Sequence, residues 1–150
     1  MKIALGSDHR GYDAKRHLLD FLSKHHHEVE DLGCHSLVAV DYPDIAHAVG
    51  MAVARRACEV GILLDGSGIG MCVAANKVQG ILAAHVSDEF SARRAREHYH
   101  CNIICIAADL HGSSAIRRAV GVFLTAGPAH GRHARRVEKV QQIEQGKHHS

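Results

Sequence analysis

The segment DGSGIG at residues 65–70 combines a carboxylate, a hydroxyl and three glycines directly after an apolar run. A glycine-rich turn from a strand into a helix presents free backbone N–H groups, with the positive end of the helix behind them. This chemistry favours an anionic ligand group or a developing oxyanion. The segment lacks the ending of a nucleotide-binding P-loop and the GxGxxG spacing of a dinucleotide site. The alternative is a structural turn in which Asp65 or Ser67 is the helix N-cap.

A second polar segment, GSDHRG at residues 6–11, follows the first apolar run of the chain. If both runs are parallel strands, Asp8 and His9 lie at the same sheet edge as the glycine-rich turn, where ligands bind in such folds. We therefore expect a polar ligand site at this edge. The alternative is that Asp8 caps the helix that follows.

The elements that must position these side chains follow from the alternation of apolar runs with segments of helical periodicity. The runs cover residues 2–5, 28–31, 60–64, 80–86 and 102–107. This pattern predicts an α/β fold, a Rossmann-like three-layer αβα sandwich with a five-stranded parallel sheet. We expect a single domain over residues 1–150, with residues 132–146 as a C-terminal helix.

The composition of the chain argues against several classes of function. The 150 residues include 18 Lys and Arg against 16 Asp and Glu, so a polyanion-binding surface is not the default, and the low aromatic content disfavours nucleic-acid stacking. The N-terminus lacks the pattern of a secretory signal, and no apolar run approaches the roughly 20 residues that span a bilayer. We expect a cytoplasmic protein that binds neither nucleic acid nor membrane. The five cysteines lack CxxC spacing and are expected to be reduced thiols.

Fifteen histidines raise the question of a metal site. The candidates are the triplet at residues 25–27 and the group His98, His100 and Cys101. Helical residues two positions apart point in different directions, and the triplet lies in a polar stretch before the second strand. We therefore predict no metal site.

Motifs along nearly the whole chain, in order and in register, resemble the type B ribose-5-phosphate isomerases, which form one family with the galactose-6-phosphate isomerase subunits. The motifs are GSDHRG at 6–11, DYPD at 41–44, GSGIG at 66–70 with AANK at 74–77, VSDE at 86–89 with REH at 96–98, and GRHARRV at 131–137. The resemblance implies interconversion of an aldose phosphate and a ketose phosphate through a cis-enediolate, without metal or organic cofactor. It also implies a homodimer with shared active sites, and leaves open whether two dimers form a tetramer.

The resemblance also implies roles for individual residues. His98 corresponds to the acid/base that opens the sugar ring, and the N–H groups of residues 66–70, assisted by the Ser67 hydroxyl, correspond to the donors that stabilise the enediolate. The residues implied to bind substrate are Asp8, His9, Tyr42, Gly66, Ser67, Gly68, Ile69, Gly70, Tyr99, Asp109, Arg132 and Arg136. Among these, Arg132 and Arg136 correspond to phosphate-binding arginines.

The sequence departs from the family at positions that correspond to the catalytic base and to substrate-binding residues. Asp65 replaces the usual cysteine base, and Met71 stands where other members have a glutamate, so we predict Asp65 as the carbon base, with a pKa lowered by nearby helix N–H groups. Cys72 is expected to pack in the core.

Tyr99 replaces a substrate-contacting asparagine, and Asp109 replaces a phosphate-binding arginine, so Asp109 either points away or faces a different ligand. The substrate could then be a tetrose, pentose or hexose phosphate. The alternative is a non-catalytic sugar-phosphate-binding homologue that has lost the base.

Overall fold

A computed structural model of the protein describes residues 1–147, so the last three residues of the polar tail lie outside the described chain. The strands are β1 (Lys2–Ser7), β2 (Glu28–Asp31), β3 (Val60–Asp65), β4 (Ala83–His85) and β5 (Ile103–Ala107). The helices are α1 (Tyr12–Lys24), α2 (Tyr42–Ala54), α3 (Ile69–Ala75), α4 (Glu89–Glu97), α5 (Ser113–Thr125) and α6 (Arg132–Glu144).

The strands form one parallel sheet in the order β2-β1-β3-β5-β4. The central strands β3 and β5 are buried along their whole length, as expected for strands covered on both faces. One apolar cluster packs α1, α4 and α5 against one face of the sheet. A second cluster packs α2 and α3 against the other face. This arrangement confirms the predicted α/β fold with a five-stranded parallel sheet between helical layers.

Several boundaries differ from the sequence prediction, and two of these differences have local reasons. β4 is limited to three residues, since Gly80 adopts a positive φ of 89° and belongs to the preceding turn. α6 ends at Glu144 rather than at residue 146, because Gly146 takes a φ of 70° that stops the helix. The Glu144 carboxylate also accepts the Gly80 N–H at 3.1 Å, which ties the end of α6 to the turn before β4.

The carboxyl ends of the strands lie at one edge of the sheet, and the register there is fixed by backbone pairing. Ser7 at the end of β1 pairs with Leu64 of β3, and Asp65 pairs with Ala107 at the end of β5. The loops after these three strands carry most of the residues singled out above. The strand register therefore places residues that are distant in sequence at the same level along the strand direction.

Candidate functional site

The glycine loop (residues 66–70) connects β3 to α3 and is fixed by side chains on both sides. Gly68 is the N-cap residue of α3, with a φ of 76° that favours glycine. The Ser67 hydroxyl accepts the Ile69 N–H at 3.2 Å, and the Asp65 carboxylate accepts the Met71 N–H at 3.3 Å. Although neither Asp65 nor Ser67 is the N-cap residue, both side chains bind N–H groups of the first helical turn.

Asp65 is the last residue of β3 and is only 4% exposed. Its Oδ2 accepts the Met71 N–H, whereas its Oδ1 is buried and, within residues 1–147, has no hydrogen-bond partner. Burial raises the pKa of Asp65 and outweighs the N–H groups of Met71 and Gly68, which lower it. The expectation of a lowered pKa was wrong, because it considered the helix N–H groups without the desolvation of the carboxylate. A raised pKa makes this carboxylate a stronger base than an exposed one.

Asp8 and His9 are held by backbone groups in the loop after β1. The buried Asp8 accepts the N–H groups of Arg10 at 3.0 Å and Gly11 at 3.1 Å through the same oxygen, Oδ1. Asp8 is therefore part of the turn before α1, whose N-cap is Gly11. The Val40 N–H donates to His9 Nδ1 at 3.2 Å, so a neutral His9 carries its proton on Nε2.

A cleft of about 490 Å³ opens above the carboxyl ends of β1, β3 and β5. We call it the carboxylate cleft, since Asp8, Asp65 and Asp109 all line it. Its other lining residues are Arg10, Tyr42, Gly66, Ser67, Gly70 and Leu110. The Tyr42 ring lies so close to Gly70 that a Cβ there would come within 2.9 Å of it. The cleft thus brings together most of the residues implied for the sugar.

Asp109 faces the carboxylate cleft and is paired with Arg10. The Arg10 Nε donates to Asp109 Oδ2 at 2.9 Å, and Arg10 Nη2 donates to the same oxygen. The pair closes over Gly66, where a Cβ would lie 2.8 Å from Arg10 Nε and 3.0 Å from Asp109 Oδ2. Asp109 therefore does not point away; its charge is compensated by a guanidinium from the neighbouring loop.

A second cleft, of about 410 Å³, lies between α6 and the end of α4. We call it the histidine cleft, since His98 and His133 line it together with Tyr99 and Arg136. The two imidazole rings are stacked, with centroids 3.9 Å apart and planes 13° apart. Partial burial lowers the pKa of His133, and the neighbouring charges of His98, Arg132, Arg136 and Arg94 lower it further.

His98 follows the last residue of α4 and is held from its own helix. Arg94 Nη1 lies 3.1 Å from His98 Nε2. Because a guanidinium only donates, Nε2 accepts, and a neutral His98 carries its proton on Nδ1. A basic cleft of this kind suits the phosphate end of a substrate, whereas the carboxylate cleft does not.

The structure does not unite all the predicted site residues within one subunit. Asp65 lines the carboxylate cleft, while His98, Tyr99 and Arg136 line the histidine cleft. Arg132 is exposed at the first position of α6. Of the glycine loop, Gly68 is buried and Ile69 is 60% exposed. Asp65, the predicted base, and His98, the predicted ring-opening residue, thus line two different clefts of the same chain.

Sequence reasoning missed two residues at this edge of the sheet. Arg10 was overlooked although it directly follows the Asp8-His9 pair. His85 ends β4, and its Nε2 lies 3.0 Å from the Ser67 carbonyl oxygen. Its position at the end of a predicted strand was the available signal, because the carboxyl ends of parallel strands share an edge.

Cys72 is a further ionisable group near Asp65. A hydrogen bond with the Cys105 thiol, opposed by burial, lowers the pKa of Cys72 to about 7. Its Sγ contacts the Ala83 carbonyl oxygen at 3.6 Å and the Asn76 amide at 3.6 Å, and it packs with the second apolar cluster. These contacts direct the thiol toward β4, in agreement with a packing role.

The described part of the chain contains neither a metal-binding cluster nor a membrane-spanning helix. Within residues 1–147, no group of three or more His, Cys, Asp or Glu side chains could hold a metal ion. Over the same residues, every helix is too short or too polar to cross a membrane.

Comparisons with known proteins converge on one family. The family model described as Ribose/Galactose Isomerase matches residues 3–140. The chain is 38% identical to ribose-5-phosphate isomerase B of Escherichia coli over 144 residues, which cover 96% of this chain and 97% of that protein. A solved structure of Clostridium thermocellum ribose-5-phosphate isomerase B superposes with a TM-score of 0.96 at 43% identity, covering 97% of this chain and 99% of that one. A Mycoplasma genitalium ribose-5-phosphate isomerase B structure with bound ribulose-5-phosphate gives a TM-score of 0.92 at 37% identity, covering 96% of each chain.

Proposed function

The chain belongs to the ribose/galactose isomerase family and is a sugar-phosphate isomerase, and from this premise we propose that Asp65 is the carbon base of its reaction. The proposed reaction interconverts ribose 5-phosphate and ribulose 5-phosphate, or a related aldose and ketose phosphate, through a cis-enediolate. The observation that carries the proposal is the Asp65 carboxylate, which is buried beside the glycine loop with one oxygen that has no hydrogen-bond partner among residues 1–147.

In the proposed mechanism, His98 first assists ring opening by moving a proton from the anomeric hydroxyl to the ring oxygen. Asp65 then removes the proton from C2 of the open aldose, and the electron pair forms the C1–C2 double bond of the enediolate. The N–H groups of the glycine loop stabilise the developing charge on O1. Finally Asp65 returns the proton to C1 while the O2 proton passes to O1, which leaves the ketose. C2 is oxidised and C1 is reduced within the same molecule, so the reaction needs no external oxidant or reductant.

The raised pKa of Asp65 supports its role as base. An exposed carboxylate is a weak base for a carbon-bound proton, and a modest rise in pKa improves the driving force for proton transfer. The phosphate group would bind at Arg132 and Arg136, whose planar donor groups suit phosphate oxygens.

We further propose that the working site is shared between two copies of the chain. Asp65 and His98 line different clefts of one subunit, and one bound pentose cannot contact both a base and a ring-opening group unless the clefts meet. In a homodimer, the histidine cleft of one subunit would complete the carboxylate cleft of its partner.

The proposal is tested by assaying aldose phosphates of four, five and six carbons with the wild type, Asp65→Asn and Asp65→Cys. We expect turnover of at least one substrate by the wild type and a loss of about 100-fold or more in kcat for Asp65→Asn. Asp13→Asn, on the exposed side of α1, is the matched control and should retain full activity. Activity of Asp65→Cys on ribose 5-phosphate would show that the remaining residues still form a site for that sugar.

Two results would overturn the proposal. Full turnover by Asp65→Asn would exclude Asp65 as the base. Binding of sugar phosphates by the wild type without any conversion would instead favour the non-catalytic binding protein.

A further inference from the structure

We propose that His85 is a positioning residue for Asp65, which holds the glycine loop through a hydrogen bond to the Ser67 carbonyl oxygen and packs its ring against Gly68. His85 ends β4, two strands away from Asp65 in the sheet order. The effect of His85 on catalysis rests on the function proposed above. The contact of His85 with the loop, and the effect of its charge on the pKa of Asp65, do not.

The first part of the argument is the contact with the loop. His85 Nε2 lies 3.0 Å from the Ser67 carbonyl oxygen. A carbonyl oxygen only accepts, so Nε2 must carry a proton. Both the neutral Nε2–H form and the imidazolium satisfy this condition. The contact therefore does not depend on the charge of His85.

The second part is the packing of the ring against Gly68. A Cβ built at Gly68 would lie 2.7 Å from His85 Cδ2 and 2.8 Å from His85 Nε2. The imidazole thus lies directly on the loop backbone and fits only because residue 68 is glycine. Since the Met71 N–H in the first turn of α3 donates to the Asp65 carboxylate, the histidine packs against the loop that connects the base to this donor.

The third part is the charge around Asp65. The Asp8 carboxylate, in the loop after β1, raises the pKa of Asp65, as burial does, while the positive charge of His85 lowers it. The Cys72 and Cys105 thiols are further ionisable groups that interact electrostatically with Asp65. Arg94 of α4, and His98 and Tyr99 directly after that helix, line a shared cleft with His85. A protonated His85 therefore helps to keep Asp65 ionised at acidic pH.

The test compares His85→Gln with the wild type by a ¹³C NMR titration of the Asp65 carboxyl carbon, assigned with Asp65→Asn. Glutamine keeps an N–H donor for the Ser67 carbonyl but cannot become charged. We expect the titration of Asp65 to move to higher pH in His85→Gln and to stay unchanged in His17→Gln, an exposed histidine of α1. An unchanged titration in His85→Gln would overturn the electrostatic part. The titration needs no substrate, so failure of the proposed function would not affect it.

A second readout tests the contact with the loop. His85→Ala removes the donor and should shift the amide resonances of residues 66–70, whereas His85→Gln should restore them toward the wild-type positions. Wild-type amide positions in His85→Ala would contradict the positioning role. In the active enzyme, the acid limb of the kcat/KM profile should move to higher pH in His85→Gln, because Asp65 must be ionised to act as base. An unmoved acid limb would show that His85 does not control the ionisation of Asp65 during catalysis.

Discussion

Asp65 shows at the residue scale what a sequence can and cannot predict. Its place after an apolar strand and before a glycine-rich turn was sufficient to predict a position at the sheet edge. The direction of its pKa shift was not predictable in the same way. It depends on how completely α3 and the neighbouring strands exclude water from the carboxylate, and this is a property of the tertiary packing.

The buried carboxylate should impose a pH-dependent loss of stability. Since the folded-state pKa of Asp65 lies above its ordinary value of 3.8, the folded protein binds the proton more tightly than the unfolded chain. Its contribution to stability is full below that ordinary value and is lost as pH rises through the folded-state pKa. We expect wild type to lose stability relative to Asp65→Asn over this interval.

Urea unfolding of the two proteins at a series of pH values from about 4 to about 7 measures the difference. Asp13→Asn, whose carboxylate is exposed, supplies the control. A difference between wild type and Asp65→Asn that does not change with pH would contradict a raised pKa for Asp65.

At the scale of elements, the strand alternation was predictable but the contacts between loops were not. Arg10 follows β1 and Asp109 follows β5, yet their side chains pair although 99 positions separate them in sequence. The pairing depends on the strand order, which places β3 between β1 and β5 and brings both loops over Gly66. Sequence reasoning could note that Asp109 replaces an arginine, but it could not identify the compensating cation.

The glycine loop offers a prediction at this scale. In Gly68→Ala, the alanine would have to adopt the positive φ of residue 68. Its Cβ would also meet the His85 ring and lie 3.0 Å from the Ala107 backbone nitrogen. A backbone atom in a strand cannot easily move away. We expect a loss of about 1 to 3 kcal/mol in the free energy of unfolding, together with reduced turnover. The measurement is chemical denaturation alongside the isomerase assay.

Gly121→Ala is the matched control for that prediction. Gly121 lies inside α5, and a Cβ there would meet nothing within 4 Å. Alanine should raise the free energy of unfolding by about 0.5 to 1 kcal/mol, because it restricts the unfolded chain and favours the helix. Equal effects of the two substitutions would contradict a special conformation at Gly68.

At the scale of the whole molecule, charge is divided between the two clefts. Three carboxylates line the cleft at the sheet edge, whereas the charged or titratable nitrogen groups of the largely apolar histidine cleft are His98, His133 and Arg136. A sugar phosphate needs both environments, because its hydroxyl end and its phosphate end carry different chemistry. The separation is the physical reason for expecting a site completed by a second copy of the chain.

Subunit mixing tests the shared site. Asp65→Asn and His98→Asn should each be nearly inactive alone, but a mixed dimer would hold one intact site and one doubly substituted site. After random exchange of equal amounts, we expect about a quarter of wild-type turnover, since half of the dimers are mixed and each has one working site of two. Activity that stays at the level of the parent variants would show that Asp65 and His98 do not act across subunits.

The identity of the base is tested most directly by following deuterium from solvent D₂O into the carbon-bound positions of the sugar phosphate. Wild type should incorporate deuterium at C1 or C2, because a base that shuttles a proton between these carbons exchanges it with solvent. Asp65→Asn should bind the same sugar phosphate and incorporate almost none. Incorporation by Asp65→Asn at the wild-type rate would contradict the assignment of Asp65 as the base.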